Sequence, residues 1–229
     1  MTEASQEQTR NRALADPRAL EILTTEHASL LSTRALSYNE AFSRAAMFLT
    51  FLSATLVVTG FLVGAQGLRA DAPAIIAILL AADLFIGLAT FGRLIDASNE
   101  ELRCVRGMNR IRHAYREMVP GLAPYFVSGF HDDATGVLGA YTHTRSGALA
   151  ALAIGLTTTP GMIGVIDGLV AGALCGVVAL GLGASLALGV AIAIGGFVAV
   201  FGSIAAYGSR TVARRQREAE SMFPTGSTA

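Results

Sequence analysis

Between Pro73 and Pro120 the chain contains no proline, yet its chemistry changes completely partway along. Pro73–Gly92 is apolar except for Asp83, whereas the residues from Arg93 to Val119 are densely charged. One helix over this stretch would run about 70 Å at ~1.5 Å per residue, more than twice the ~30 Å hydrocarbon core of a bilayer. Roughly half of it must stand in lipid and half in water. The expectation is an integral membrane protein whose helices continue well beyond the bilayer.

Composition agrees. The chain is 52% hydrophobic and 15% charged, with a mean hydropathy of +0.53, and its formal net charge of zero hides a segregation. Residues 45–68, 72–92 and 147–207 carry almost no charge, and the segments around them hold nearly all of it. Every basic residue is Arg, which reads as the codon bias of a GC-rich bacterium. Trp is absent, so interfacial anchoring falls to Tyr and Arg. Cys104 and Cys175 form no disulfide framework or metal knuckle by spacing, and a reducing cytoplasmic setting suits both. Residues 1–16 are polar, without the basic and apolar regions of a cleavable signal, and are expected to be disordered. The first crossing is then its own insertion signal.

Asp16-Pro17 signals a helix start, with Asp as cap and Pro in the first turn. An arm over 17–44 follows, with Leu20, Leu23, Leu30, Leu31, Tyr38, Ala41 and Phe42 on one side and acids and hydroxyls on the other. It leads into a crossing at about 45–68. After the short turn at 67–72 comes a second crossing, about 73–93, antiparallel to the first. The second arm, 94–119, has Cys104, Val105, Met108, Ile111, Tyr115, Met118 and Val119 on one face. The two arms should pair through these stripes as a cytoplasmic stalk.

Pro120-Gly121 ends the arm, and a connector over 120–160 should bury Tyr125, Phe126 and Phe130 against the stalk. Two further crossings, about 162–182 and 184–207, turn at Gly181–Gly183, with 147–159 as an apolar lead-in. The last helix runs through the Arg210–Arg217 cluster to about Met222, and 223–229 is a loose tail. With both termini inside, every arginine but Arg69 is cytoplasmic, as the positive-inside tendency requires. The fold class is all-α: a four-crossing bundle of a bacterial cytoplasmic membrane.

Asp83 lies near the middle of its crossing, where an ionised carboxylate costs several kcal/mol. It is either a proton or cation site or a protonated acid bonded to a neighbouring helix, Thr55 being the hydroxyl nearest in depth. Asp167 sits within a turn of the same depth, and two such acids could share a proton. The alternative is that it reaches the inner surface or caps a helix broken near Thr157–Gly161. Gly164, Gly168, Gly172 and Gly176 recur every fourth residue, a pattern for close helix packing within the chain or between subunits. The short connection to the fourth crossing favours the former.

His27 and Arg34 interrupt the apolar stripe of the first arm, where an ion pair with Glu100, Glu101 or Glu117 would fix register. His131, Asp132 and Asp133, with His143 and His113, offer imidazole and carboxylate ligands for Zn, Mn or Fe, but their spacing matches no metal signature, and loop capping explains them equally. No nucleotide-loop lysine, nucleophile elbow or zincin helix is present, and no cofactor is implied. The arm arginines suit lipid headgroups or solvent better than nucleic acid. These features point to a non-enzymatic membrane protein whose stalk binds a protein partner or another copy of itself. The alternatives are a small proton or ion conductor using Asp83 and Asp167, and, more remotely, a metal enzyme at the 131–133 loop.

Overall fold

The computed structural model describes residues 3–66, 71–139, 156–218 and 220–226. Its elements are α1 (Glu3–Leu14), α2 (Ala19–Gln66), α3 (Ala72–Met118), a 3-10 turn (Pro120–Tyr125), α4 (Ala134–Leu138), α5 (Thr159–Gly181) and α6 (Leu186–Glu218). No strand occurs among the described residues. Four helices, α2, α3, α5 and α6, are long and apolar enough to cross a membrane. The protein is thus all-helical with four candidate spans, consistent with a multi-pass membrane protein.

The chain forms two compact units. The arm unit comprises 1–38, 98–145 and 215–229, and the membrane unit comprises 39–97 and 146–214. α2 and α3, at 48 and 47 residues, each contribute to both units.

In the membrane unit the helix ends follow local chemistry. Thr158 caps α5 by accepting from Gly161 N at 3.3 Å, with proline in the first turn. At the other end Gly183 takes φ +87°, Ala184 N donates to Ala179 O and Gly183 N to Leu180 O. This left-handed stop, which favours glycine, turns the chain into Ser185, whose side chain accepts from Leu188 N to cap α6.

α5 is the central helix: half of its most apolar stretch is buried, against 11% for those of α2 and α6. Two apolar clusters flank it. One gathers Phe48, Phe91, Leu94, Ile95, Ile163 and Ile204, and the other Ile76, Leu80 and Val170. Outward-facing side chains are large and apolar, among them Phe61 and Phe85, each 75% exposed, and Ile78 at 70%. So wide an apolar surface is untenable in water and natural in lipid.

In the arm unit Cys104, Val105, Met108 and Val137 form the core, with Leu30 and Leu102 against it. Gly107 admits Leu30 so closely that a methyl there would lie 2.8 Å from Leu30 Cδ1.

Three expectations differ here. Residues 3–14, expected without structure, form α1, held by an Arg10–Glu117 ion pair at 3.2 Å and by Arg10 stacked over Phe223. The tail is not loose at its start: α6 stops at Glu218, and residues 221–225 are fastened by hydrogen bonds described below. Of the connector aromatics, Phe126 and Phe130 pack edge to face at 5.6 Å, but Tyr125 is 79% exposed. Most of the 147–159 lead-in lies outside the described residues.

Candidate functional site

Contacts fix the register of α3 against α5. The added methyl that would crowd Pro73 belongs to Gly181, Gly87 abuts Asp167, and Gly164 abuts Phe91. The helices are therefore antiparallel, since the partners run up α3 from Pro73 through Gly87 to Phe91 as they run down α5 from Gly181 through Asp167 to Gly164. Asp167 faces Gly87 directly: a methyl at Gly87 would overlap Asp167 Oδ1 and come within 3.0 Å of Phe48 Cε2. Asp83 is one helical turn from Gly87 on the same face of α3.

Asp167 is 0% exposed and Asp83 2%. Both oxygens of Asp167 and Oδ2 of Asp83 are buried with no hydrogen-bond partner. Thr55 is buried at 8% exposure and Thr90 at 6%, and Thr59 Oγ1 is buried and unpartnered. No hydrogen bond joins Thr55 to Asp83. Asp167 neither reaches an exposed edge nor caps a helix, and Thr158 takes the capping role at α5.

Gly164, Gly168, Gly172 and Gly176 all lie against α6. A methyl on them would meet Ile204, Phe197 and Phe201, the Ala193 carbonyl oxygen at 2.7 Å, and Ala193 Cβ at 3.1 Å. The ladder brings the two backbones together within one chain.

The arm unit holds a third buried acid, of opposite character. Asp132, 0% exposed, accepts from Arg110 Nε at 2.7 Å, Ser221 Oγ at 2.8 Å, Met222 N at 2.9 Å and Phe223 N at 2.7 Å. Around it Arg106 donates to the Asp132 carbonyl, Asn109 to the His131 carbonyl and Arg110 to the Glu220 carbonyl. Burial alone would raise the pKa of Asp132, but these donors overcome it and pull it down to about 2. Asp133 caps α4 through Gly136 N and accepts from Thr225.

The 131–133 residues thus knot the α3 arm to the C-terminal segment. The carboxylate of Asp132 has its acceptor positions filled by protein donors, and no group of three or more metal-type side chains gathers among the described residues. His143 lies outside them. His113 is buried beneath Phe223, their rings 3.9 Å apart, and burial, reinforced by Arg116, lowers its pKa.

On the first arm, Arg34 meets Glu101 at 2.7 Å across the helix pair. His27 instead stacks on Tyr115 with ring centroids 6.3 Å apart, and burial, with Arg112 nearby, lowers its pKa. Arg106 and Arg110, expected at a solvated or headgroup-facing surface, are spent on the knot.

The knot was not visible from spacing because its partners lie about ninety residues apart. Phe223, a lone aromatic in a polar tail, was the available hint. Gly87 was also missed, although an acid followed four residues later by glycine on an apolar helix marks a face where another polar group can approach.

Comparison with family models, with curated proteins and with solved structures finds no match.

Proposed function

We propose that this chain is a non-enzymatic, multi-pass protein of a bacterial cytoplasmic membrane, whose arm unit is a platform for assembly with a second copy of itself. The observation that carries this is the outer flank of α2. Leu20, Leu31 and Tyr38 are 54, 54 and 62% exposed, although the arm pairing should have buried them. Their spacings of eleven and seven residues place them in line along one side of the helix. Such a line lies beside the seam that holds Leu30 and Arg34, so it is an apolar strip left over after the internal pairing is complete.

A second copy is the partner the strip fits best. Membrane anchoring confines two copies to one plane at high local concentration, and a straight, uncharged strip is complementary to itself about a two-fold axis. The polar groups of the arm unit support a scaffolding role, since Asp132, Asp133, Arg106, Asn109 and Arg110 are engaged with one another and with backbone. Orientation follows from arginine placement, both termini being assigned to the cytoplasm.

The test is site-directed crosslinking of the full chain in native membranes, with Cys104 and Cys175 replaced by Ser. Leu31→Cys should give a crosslinked dimer with a short bis-maleimide, and Glu26→Cys, on the other side of the helix, should not. Equal crosslinking at both positions, or none at Leu31→Cys, would remove the self-assembly reading. Reporter fusions at Gly67 and Ala229 should report opposite sides of the membrane; one side for both would overturn the topology.

A further inference from the structure

The described acids of the arm unit and of the margin of the membrane unit have partners or water. Glu40 pairs with Arg93 and Arg44, Glu101 with Arg34, Glu117 with Arg10, and Asp132 with its four donors. Both oxygens of Asp167 and Oδ2 of Asp83 have neither. The two acids lie one turn apart along the α3–α5 seam, each more than nine-tenths buried, with three of their four carboxyl oxygens both enclosed and without a hydrogen-bond partner. The side chain of Asp167 is aimed into the seam, against the bare backbone of Gly87.

Two bare carboxylates in this setting are untenable. An ionised acid removed from water needs donors or a counter-charge, and two a turn apart also repel. No cationic side chain occurs in 45–66, 73–92 or 159–207. The other titratable groups on those stretches are Cys175, packed against Gly196, and Tyr207, at the far end and 58% exposed. Phe48 of α2 stands beside the Gly87–Asp167 contact, and the apolar clusters of the unit, with Leu52, Leu80, Leu84, Ile166 and Val170, hold no group that titrates. Among the described residues of these stretches nothing can neutralise the pair.

We propose that Asp83 and Asp167 form a single intramembrane proton-binding site, proton-loaded at neutral pH, with Gly87 as the residue that positions it. A metal cation is the poorer occupant. Hard cations gather about six oxygen ligands, and the contact of Gly87 with Asp167 closes one side of the carboxyl to any further ligand. A proton needs no such shell. Gly87 is required because any larger residue would drive the Asp167 carboxyl out of the seam and away from Asp83. The site is independent of whether the arm unit self-assembles.

Infrared titration of the full chain in lipid nanodiscs, with ¹³C-labelled aspartate, reads the protonated carboxyl directly. The wild type should show a protonated-aspartate band near pH 7 that disappears as pH rises, and exchange of Na⁺ or K⁺ for choline should leave it unchanged. The band should weaken in Asp83→Asn and in Asp167→Asn and vanish in the double variant. Gly87→Ala, which keeps both acids, should move the titration midpoint by about one pH unit, a tenfold change in proton affinity. Helix content by circular dichroism confirms that each variant is folded. A wild type without the band, a band that survives in the folded double variant, or one that is lost on adding Na⁺, K⁺ or Ca²⁺ at constant pH would overturn the proposal. A Gly87→Ala midpoint equal to that of the wild type would overturn the role of Gly87.

Discussion

The carboxyl group of Asp132 accepts from four donors, whereas that of Asp167, equally buried, accepts from none. Each sits in the more enclosed part of its own unit. In the arm unit Asp132 is buried together with its donors, so its charged form is stabilised and the acid acts as a rivet. In the membrane unit the acid is buried among side chains that cannot answer it. Burial by itself therefore says little about what an acid does; the inventory of donors around it decides. One arrangement holds a fold together, and the other leaves buried carboxyl oxygens without donors among the described residues.

The sharpest way to break this contrast is to remove the rivet. Asp132→Ala would strand the Arg110 guanidinium and the backbone N–H groups of Met222 and Phe223. Loss of one partner from a buried, hydrogen-bonded pair costs about 3–5 kcal/mol. The C-terminal segment should come away, and trypsin should cleave at Arg215 and Arg217 far faster than in the wild type. An unchanged cleavage rate would show that Asp132 does not hold that segment. The pH dependence has a definite sign. The pKa of Asp132 is depressed in the fold from 3.8 to about 2, so its contribution is complete above about pH 4 and is lost as pH falls through about 2. That shift corresponds to roughly 2 kcal/mol. Protease resistance of the tail should therefore be flat from neutral pH down to about pH 4 and decline below it.

How much of this was legible in the sequence depends on the range over which each feature is encoded. Pro73 and Pro120 bracket α3, and Thr158-Thr159-Pro160 and Gly181–Gly183 mark the ends of α5, because capping and turn chemistry act within a few residues. The stripe position of Arg34 pointed to an acid across the seam, and Glu101 is there. The rivet could not be read, since Asp132 and Ser221 carry no local signature of each other. Nor could α1, whose polar surface has no apolar period and is held by Arg10 through Glu117 and Phe223. Helical periodicity identified an apolar stripe on the first arm but not its division into a more buried edge near Leu30 and an exposed edge at Leu31 and Tyr38.

A middle-sized effect tests how tightly the membrane unit itself is built. Gly172→Val would place its Cβ 2.7 Å from the Ala193 carbonyl oxygen, and a helix backbone cannot yield as a flexible side chain can. Separating α5 from α6 should cost about 1–3 kcal/mol, read as a lowered thermal midpoint in detergent or nanodiscs. Gly195→Val, at a position where an added methyl meets nothing within 4 Å, is the matched control and should be nearly silent.

The smallest expected effect is the most telling. Asp167→Asn replaces a carboxyl with an amide of the same shape in a setting without partners. If the acid carries its own proton, wild type and variant are both neutral polar groups lacking hydrogen bonds, and the desolvation cost is nearly the same in each. The stability change should then fall within about 1 kcal/mol. Were Asp167 instead an ionised group held by a bound cation, the exchange would discard a buried charge pair, and the loss would approach the 3–5 kcal/mol expected at Asp132. Thermal unfolding of the two substitutions side by side, at neutral pH and in the same lipid, decides between these cases. Near-silence at Asp167 beside a large loss at Asp132 is the result that matches two equally buried acids in opposite states of charge.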